Sequence, residues 1–255
     1  RSTLFPYTTL FRSPYRDHGI YLITGGAGGL GRIFAREICS RVQRARVILI
    51  GRLGEQQFDS SALRALATNG GEILYRCADV CDAPVLRRLI ADIEAQFGAL
   101  HGVLHAAGIV RDRYIAEKSA ADLAAVLAPK VAGTINLDSA CAHLPLDLFV
   151  LFSSAAAAFG NLGQVDYALG NAYLDWYAAE RTQRVARGER SGKTLAIAWP
   201  LWDEGGMRVD AAVEARMRSR GLRPLASHDG LEAFYRAWLS HERSEEHTSE
   251  LQSPI

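Results

Sequence analysis

Six short apolar runs, separated by longer amphipathic stretches, constrain this chain more than any other feature. The runs cover residues 20–24, 46–50, 73–78, 102–106, 148–152 and 194–198. Continuous apolar runs of this length are strands buried on both faces. Helical spacing at 29–42, 85–97, 118–142 and 164–187 supplies the covering layers. Strands alternating with helices predict an α/β domain, a doubly wound Rossmann-type parallel sheet with helices on both faces. In such a sheet, ligands sit at the carboxyl ends of the strands.

Composition narrows the partners. With 255 residues the chain holds one domain or at most two. Lys and Arg number 29 against 28 Asp and Glu, a formal charge of +1. That balance argues against a nucleic acid or other polyanion as partner. Apolar residues make up 49%, yet no run of about 18 uncharged apolar residues occurs, so no membrane span is expected and the location reads as cytoplasmic. Cys39, Cys77, Cys81 and Cys141 all fall in apolar periodic segments and read as small core residues of a reducing compartment. Cys77 and Cys81 have no nearby Cys/His pair to complete a zinc site, so no metal is expected.

The ends differ from the middle. Residues 1–13 and 243–255 are aperiodic, and Pro6 and Arg12 interrupt any secretory signal. Both stretches resemble translated sequencing-adapter read-through, natural disordered tails being the alternative. The expected organisation is a tail at 1–16, a catalytic domain at 17–242 and a tail at 243–255.

The first chemical motif follows the first strand. Thr24-Gly25-Gly26-Ala27-Gly28-Gly29-Leu30-Gly31 opens the first helix, and Gly26, Gly28 and Gly31 fit the G-x-G-x-x-G spacing in its strand–turn–helix context. Side chains there would keep a pyrophosphate from the backbone N–H groups and from the positive helix N-terminus. An NAD site usually places a carboxylate at the end of the second strand. This chain has Gly51-Arg52 instead. A guanidinium suits a 2′-phosphate through paired charge-assisted hydrogen bonds, which favours NADPH; an exposed surface arginine is the alternative. After the third strand, Asp79, beside Val80, is placed to accept from an adenine amino group or to form a turn. His105-Ala106-Ala107-Gly108 closes the fourth strand, its small residues admitting a cofactor, with His105 read as packing rather than catalytic.

A second constellation lies further along. Ser154 ends the fifth strand, Tyr167 and Asn171 follow four residues apart on one helix, and Lys130 precedes them. With TGGAGGLG (24–31), HAAG (105–108), PKVAGT (129–134), LFSS (151–154) and YALGNAYLD (167–175), residues 17–242 resemble the ketoreductase domain of modular polyketide synthases. That family is a branch of the short-chain dehydrogenase/reductase superfamily. Most members of the superfamily carry Lys four residues after the Tyr. Asn171 stands there, with Lys130 as the lysine, an exchange that marks the synthase branch.

The resemblance implies reduction of a 3-ketoacyl thioester carried on the phosphopantetheine of an acyl carrier protein, beside neighbouring synthase domains. Ketone reduction needs a hydride on carbon and a proton on oxygen. A phenol, with an unperturbed pKa of about 10, is a weak acid for neutral pH, and a nearby ammonium lowers that value. Tyr167 is thus the expected general acid, Lys130 the tuning group, and Ser154 the carbonyl hydrogen-bond donor. Asn171 is placed to hold the lysine or a relay water. Val110-Arg111-Asp112 occupies the place of the Leu-Asp-Asp signature of B-type enzymes, with Asp112 matching and Arg111 departing. Phe159 stands where A-type enzymes carry Trp. Together they imply B-type reduction to a D-configured alcohol.

Trp199-Pro200-Leu201-Trp202 and Gly205-Gly206-Met207 fall where family members fold a lid. Pro200 is expected at the cofactor, and the aromatics against the pantetheine arm, with core packing the alternative for Trp199. The family also carries a further edge strand beyond the last helix and a structural half before the catalytic one. Neither is legible here, so an unpaired sheet edge is expected. A free-standing reductase of a soluble carbonyl metabolite is the alternative function. A non-catalytic scaffold is a third, disfavoured by the intact glycine loop and Tyr167.

Overall fold

The structure, a computed structural model, describes residues 13–54, 60–207, 215, 217–219 and 221–240. In chain order the elements are β1 (Ile20–Thr24), α1 (Gly29–Arg41), β2 (Arg46–Gly51), α2 (Ser60–Leu66), β3 (Glu72–Cys77), α3 (Ala83–Phe97) and β4 (Gly102–His105). They continue as α4 (Ala120–Lys130), α5 (Ala132–Ala140), β5 (Leu148–Ser154), α6 (Ala156–Phe159), α7 (Val165–Ala186), β6 (Lys193–Trp199) and α8 (Ser227–Leu239). The six strands form one sheet in the order β3-β2-β1-β4-β5-β6, every pair parallel. This is the doubly wound Rossmann-type arrangement. The strand order reverses between β1 and β4, the crevice where such sheets hold ligands.

Alternation within the strands decides which helix covers which face. Tyr21 and Ile23 of β1 pack with Phe34, Ala35 and Ile38 of α1 and Phe234 of α8. Ile20 and Leu22 turn the other way, to Leu86, Ile90 and Ile93 of α3, Leu137 of α5 and Leu174 of α7. Each fully buried aliphatic or aromatic side chain of this kind contributes about 1.5–3 kcal/mol. α3 begins where Asp82 accepts the Val85 N–H at 3.0 Å, an N-cap that satisfies one orphan donor.

Four expectations change. The helical pattern at 118–142 is two helices, broken at Val131 (φ −92°, ψ −71°). Pro129 has no N–H, and its ring crowds the carbonyl four residues back. Its own carbonyl leaves the helix ladder to accept the His105 Nε2–H at 2.9 Å. Second, Cys39 and Cys141 are buried core residues, whereas Cys77 and Cys81 are exposed. Cys77 ends β3 at the sheet edge, and Cys81 sits in a turn where its N–H donates to Asp79. Third, the fold begins before residue 17. Tyr15 is buried edge-on to Tyr21 and stacked on Phe234, so Ser13–Arg16 belong to the domain. Residues 1–12 and 241–255, the rest of the two tails, lie outside the described residues. Fourth, Trp199 and Trp202 are core residues, packed with Phe34 and Phe152 rather than presented to a pantetheine arm.

Among the described residues β3 and β6 are the sheet's edges. The Lys193 ammonium at the start of β6 sits over the Trp238 ring and donates to the carbonyls of Trp238 and Ser240. Far from the carboxyl edge, Asp138 of α5 is fully buried. It accepts from Arg181 Nε at 2.7 Å, Tyr177 Oη at 2.9 Å and Arg190 Nε at 3.0 Å. Arg181 carries on to Thr194 and Ser191, tying α5, α7 and β6 together. No helix among the described residues is long and apolar enough to cross a membrane.

Candidate active site

The sequence-predicted residues converge at the carboxyl ends of β1, β4, β5 and β6. The glycine turn joins β1 to α1, and its demands can be separated glycine by glycine. Gly25 has φ +69°, and a Cβ there would lie 2.8 Å from the Ala106 carbonyl. A Cβ on Gly26 would lie 2.4 Å from Leu49 Cβ, and one on Gly31 would lie 2.7 Å from Gly26 Cα. These three close the turn against β4 and β2. Gly29 lies beneath the segment after β6, where a Cβ would meet the Glu204 carbonyl at 2.3 Å, and Leu30 packs against the same stretch. Gly28 is different. It is the N-cap of α1, and a Cβ there would meet only the Gly25 carbonyl, at 3.2 Å. It borders the open side of the cradle, next to the N–H groups that begin α1. The cradle fits a dinucleotide pyrophosphate.

Thr24 takes a different part from the one expected. It is fully buried, and its Oγ1 accepts the Ala107 N–H at 3.1 Å while meeting His105 Nδ1 at 2.7 Å. The Pro129 carbonyl can only accept, so His105 Nε2 carries the proton and Nδ1 receives the Thr24 hydroxyl. Burial holds the His105 pKa down to about 3, so the ring is neutral. Thr24 and His105 therefore brace the ends of β1, β4 and α4 against one another. The hydroxyl of Thr24 is engaged within the scaffold.

Arg52, just past the end of β2, is exposed. β3 shapes that loop: Tyr75 Oη donates to the Leu53 carbonyl at 3.0 Å. Asp79 accepts the Cys81 N–H at 2.9 Å through Oδ1, so its turn-forming role is present in the structure. Val80 is buried against Gly133, with its carbonyl bonded to Asn136. Ala106 and Ala107 lie beside Gly25. Pro200 follows Trp199, which pairs in register with Ser154.

The second cluster is built from side chains. Lys130 ends α4, is 4% exposed, and donates from Nζ to the Phe152 carbonyl at 2.8 Å. β4 ends at His105, opposite Leu151, one residue short of Phe152, so that carbonyl lies beyond the β4 ladder. Two glycines make room for the lysine. A Cβ on Gly108 would meet Lys130 Cε at 3.0 Å, and one on Gly170 would meet its Cβ and Cγ at 3.3 Å. Burial lowers the Lys130 pKa to about 8, with the Asp175 carboxylate opposing. Gly170 was not singled out by motif spacing. Its signal was a glycine inside a long helix, which costs about 1 kcal/mol against alanine and marks a packing need.

Tyr167 is half-buried in the first turns of α7, with Ser154 and Asn171 the side chains that favour ionisation of its hydroxyl. Burial raises its pKa, the Ser154 and Asn171 side chains lower it, and the Asp112 carboxylate raises it. The Lys130 ammonium is bonded to the Phe152 carbonyl. The groups that favour phenolate are Ser154 and Asn171. Ser154 Oγ also accepts the Ala156 N–H at 3.2 Å, at the start of α6. Asn171 is fully buried; its Nδ2 donates to the Tyr167 carbonyl at 2.8 Å, and its Oδ1 has no partner among the described residues. A buried carbonyl oxygen without a donor is costly and marks a place for a water or another donor. Asp112, on the loop after β4, accepts from Gln164 Nε2 through both oxygens, at 3.1 and 3.0 Å. Phe159 ends α6 and is 64% exposed.

Comparison with known proteins identifies the family. The model of the KR domain family matches residues 19–204. Polyketide synthase PksN of Bacillus subtilis is 45% identical over 225 residues, covering 88% of this chain and 4% of that protein. Polyketide synthase ThaG of Burkholderia thailandensis is 47% identical over 222 residues, covering 87% of this chain and 4% of that protein. The chain thus spans a small fraction of these relatives. Among solved structures, a ketoreductase domain from the bacillaene assembly line superposes with a TM-score of 0.85 at 39% identity, covering 95% of this chain and 60% of that one. The family model and the relatives show that the chain belongs to the KR family, the polyketide synthase ketoreductase domains of the short-chain dehydrogenase/reductase superfamily.

Proposed function

We propose that the chain is an NADPH-dependent reductase of a 3-ketoacyl thioester carried by an acyl carrier protein, working within a polyketide synthase. The observation that carries the reading is Tyr167 beside Ser154 and Asn171 at the same sheet edge as the glycine cradle. The cradle from Gly25 to Gly31, with Ala106, Ala107 and Pro200 around it, holds the dinucleotide, and Arg52 meets its 2′-phosphate. Bound there, the nicotinamide supplies the hydride. Ser154 donates a hydrogen bond to the ketone oxygen and orients it. Tyr167 gives its phenolic proton to that oxygen as the carbon becomes an alcohol carbon. Phenolate is then held by Ser154 and Asn171. Asn171 Oδ1, unpartnered among the described residues, holds a relay water through which the Lys130 ammonium returns a proton.

Asp112 gives the stereochemical part of the reading. It is anchored by Gln164 and lies close enough to Tyr167 to influence its ionisation, which supports B-type reduction to the D-alcohol. The test is direct. The chain is mixed with NADPH and a 3-ketoacyl thioester mimic, cofactor oxidation is followed, and the product is resolved on a chiral column. Reduction to the D-alcohol is expected, and a Tyr167→Phe variant that reduces as fast as the wild type would overturn the assignment.

A further inference from the structure

One buried ion pair stands at the edge of the site and takes no part in the chemistry above. Lys118 and Asp166 are 3% and 1% exposed at their side chains. Lys118 Nζ donates to the Arg111 carbonyl at 2.6 Å and to Asp166 Oδ2 at 2.7 Å. The other oxygen of Asp166, Oδ1, accepts the backbone N–H of Tyr167 at 2.9 Å. The Arg111 carbonyl belongs to the peptide that leads into Asp112. The Tyr167 N–H belongs to the peptide that leads into the tyrosine. One ammonium and one carboxylate thus join the peptide before Asp112 to the peptide before Tyr167.

The segment that carries Asp112 has little else to hold it. Between β4 and α4 its one regular piece is a turn of 3-10 helix at Ile115–Glu117, and the residues from 111 to 117 are exposed. Its remaining ties also run to the approach to α7. Arg113 N–H donates to the Gly163 carbonyl at 3.0 Å, and Gln164 holds the Asp112 carboxylate. The Arg111 guanidinium does not compete for Asp166; it pairs with Asp122 at 2.6 Å.

Burying two charges is an inefficient way to stabilise a fold. Each ion loses several kcal/mol of hydration, and an apolar pair of the same volume commonly stabilises as well or better. An apolar pair lacks direction, however, and would let the loop slide along α7. The ammonium protons and the two carboxylate oxygens define where the loop sits.

We infer that Lys118 and Asp166 are positioning residues that set Asp112 against the Tyr167 hydroxyl and thereby decide which face of a bound ketone is reduced. The inference rests on the ketone reduction proposed above for its consequence in the product, though not for the positioning itself. The decisive variant is the apolar pair Lys118→Met/Asp166→Leu, with the single variants Lys118→Met and Asp166→Asn beside it. In the 255-residue chain the double variant is expected to melt within a few degrees of the wild type. Its product enantiomer ratio is expected to fall about tenfold or more, with a smaller change in initial rate. Amide hydrogen exchange without substrate is expected to quicken together in peptides spanning 109–119 and 160–167. An unchanged enantiomer ratio in a folded double variant overturns the inference. So does unchanged exchange in both peptides. If the wild-type chain reduces no ketone, the functional reading fails, and the exchange experiment still decides the positioning.

Discussion

The glycine turn and the tyrosine cluster share one sheet edge and are built from opposite materials. Between Gly25 and Gly31 the site is made of absent side chains, with backbone packed on backbone at 2.7–2.8 Å from where a Cβ would stand on Gly31 or Gly25. At Lys130, Ser154, Tyr167 and Asn171 it is made of side chains from α4, β5 and α7, each held by a named partner. The packing glycines of the first region leave no room for an added atom, and the second region depends on side chains that are present. A turn that must receive a polyanion needs bare N–H groups. A proton transfer needs a donor placed within hydrogen-bond reach.

The comparison breaks first, if it is wrong, at Tyr167. Removing one oxygen in Tyr167→Phe is expected to cut turnover by about 10²–10⁴-fold, with the melting temperature and cofactor affinity unchanged. Initial rates, thermal melts and a fluorescence titration measure the three together. A large fall in cofactor affinity would show that the two regions are one.

Adding atoms to the turn should separate packing glycines from the cradle glycine. Gly31→Ala sets a methyl 2.7 Å from Gly26 Cα, a backbone atom that cannot swing away. A destabilisation of about 1–3 kcal/mol is expected, read as a lower urea midpoint. Gly28→Ala meets only the Gly25 carbonyl at 3.2 Å. It is expected to cost less than about 1 kcal/mol in stability while weakening cofactor binding more than Gly31→Ala does. Equal effects on stability would erase the distinction.

At the far end of the cradle, Arg52→Gln removes the cation proposed to meet the 2′-phosphate. NADPH affinity is expected to fall about tenfold or more while NADH affinity stays the same, compared by titration with each cofactor.

The smallest effect is one of pH. Burial lowers the Lys130 pKa from 10.5 to about 8. Between those values the unfolded chain binds a proton that the native chain has released, so this residue makes stability rise with pH across the window. Lys130→Met should lack that rise. Melts at pH 7.5 and 9.5 for both proteins measure it, and equal slopes would show that the lysine is better solvated than its burial implies.

The strands were the most legible part of this molecule. Five residues as apolar as Ile20–Thr24 have little choice but a buried strand, and all six expected runs fall within one residue or two of the observed elements. The site residues were legible where chemistry demands a residue type at a short spacing, as for Tyr167 and Asn171 on one helix face. Their partners were not. Gly108 was read as admitting a cofactor, and the structure gives it the Lys130 side chain to accommodate. The exposure of Cys77 depends on β3 being the outer strand, which no local pattern encodes. Trp199 at the end of β6 and Trp202 beyond it look alike for a lid or a core, and Phe34 and Phe152 across the fold decide between them. The extended apolar pattern at 118–142 hid a break, because the acceptor that leaves the helix ladder meets a donor on β4.

The sequence by itself determined the sheet, the direction of its edge and the glycine turn, and it named Tyr167 as the candidate proton donor. These follow from periodicity, steric bareness and the acidity of a phenol, properties carried within a few residues. Tertiary structure decided what those groups feel. It turned the Lys130 ammonium to a strand carbonyl, enclosed His105 with Thr24, left Asn171 Oδ1 without a donor among the described residues, and joined the Asp112 loop to the tyrosine helix through Lys118 and Asp166. The reason is physical: burial and hydrogen-bond direction depend on which distant segments meet, and that is set only when the layers pack.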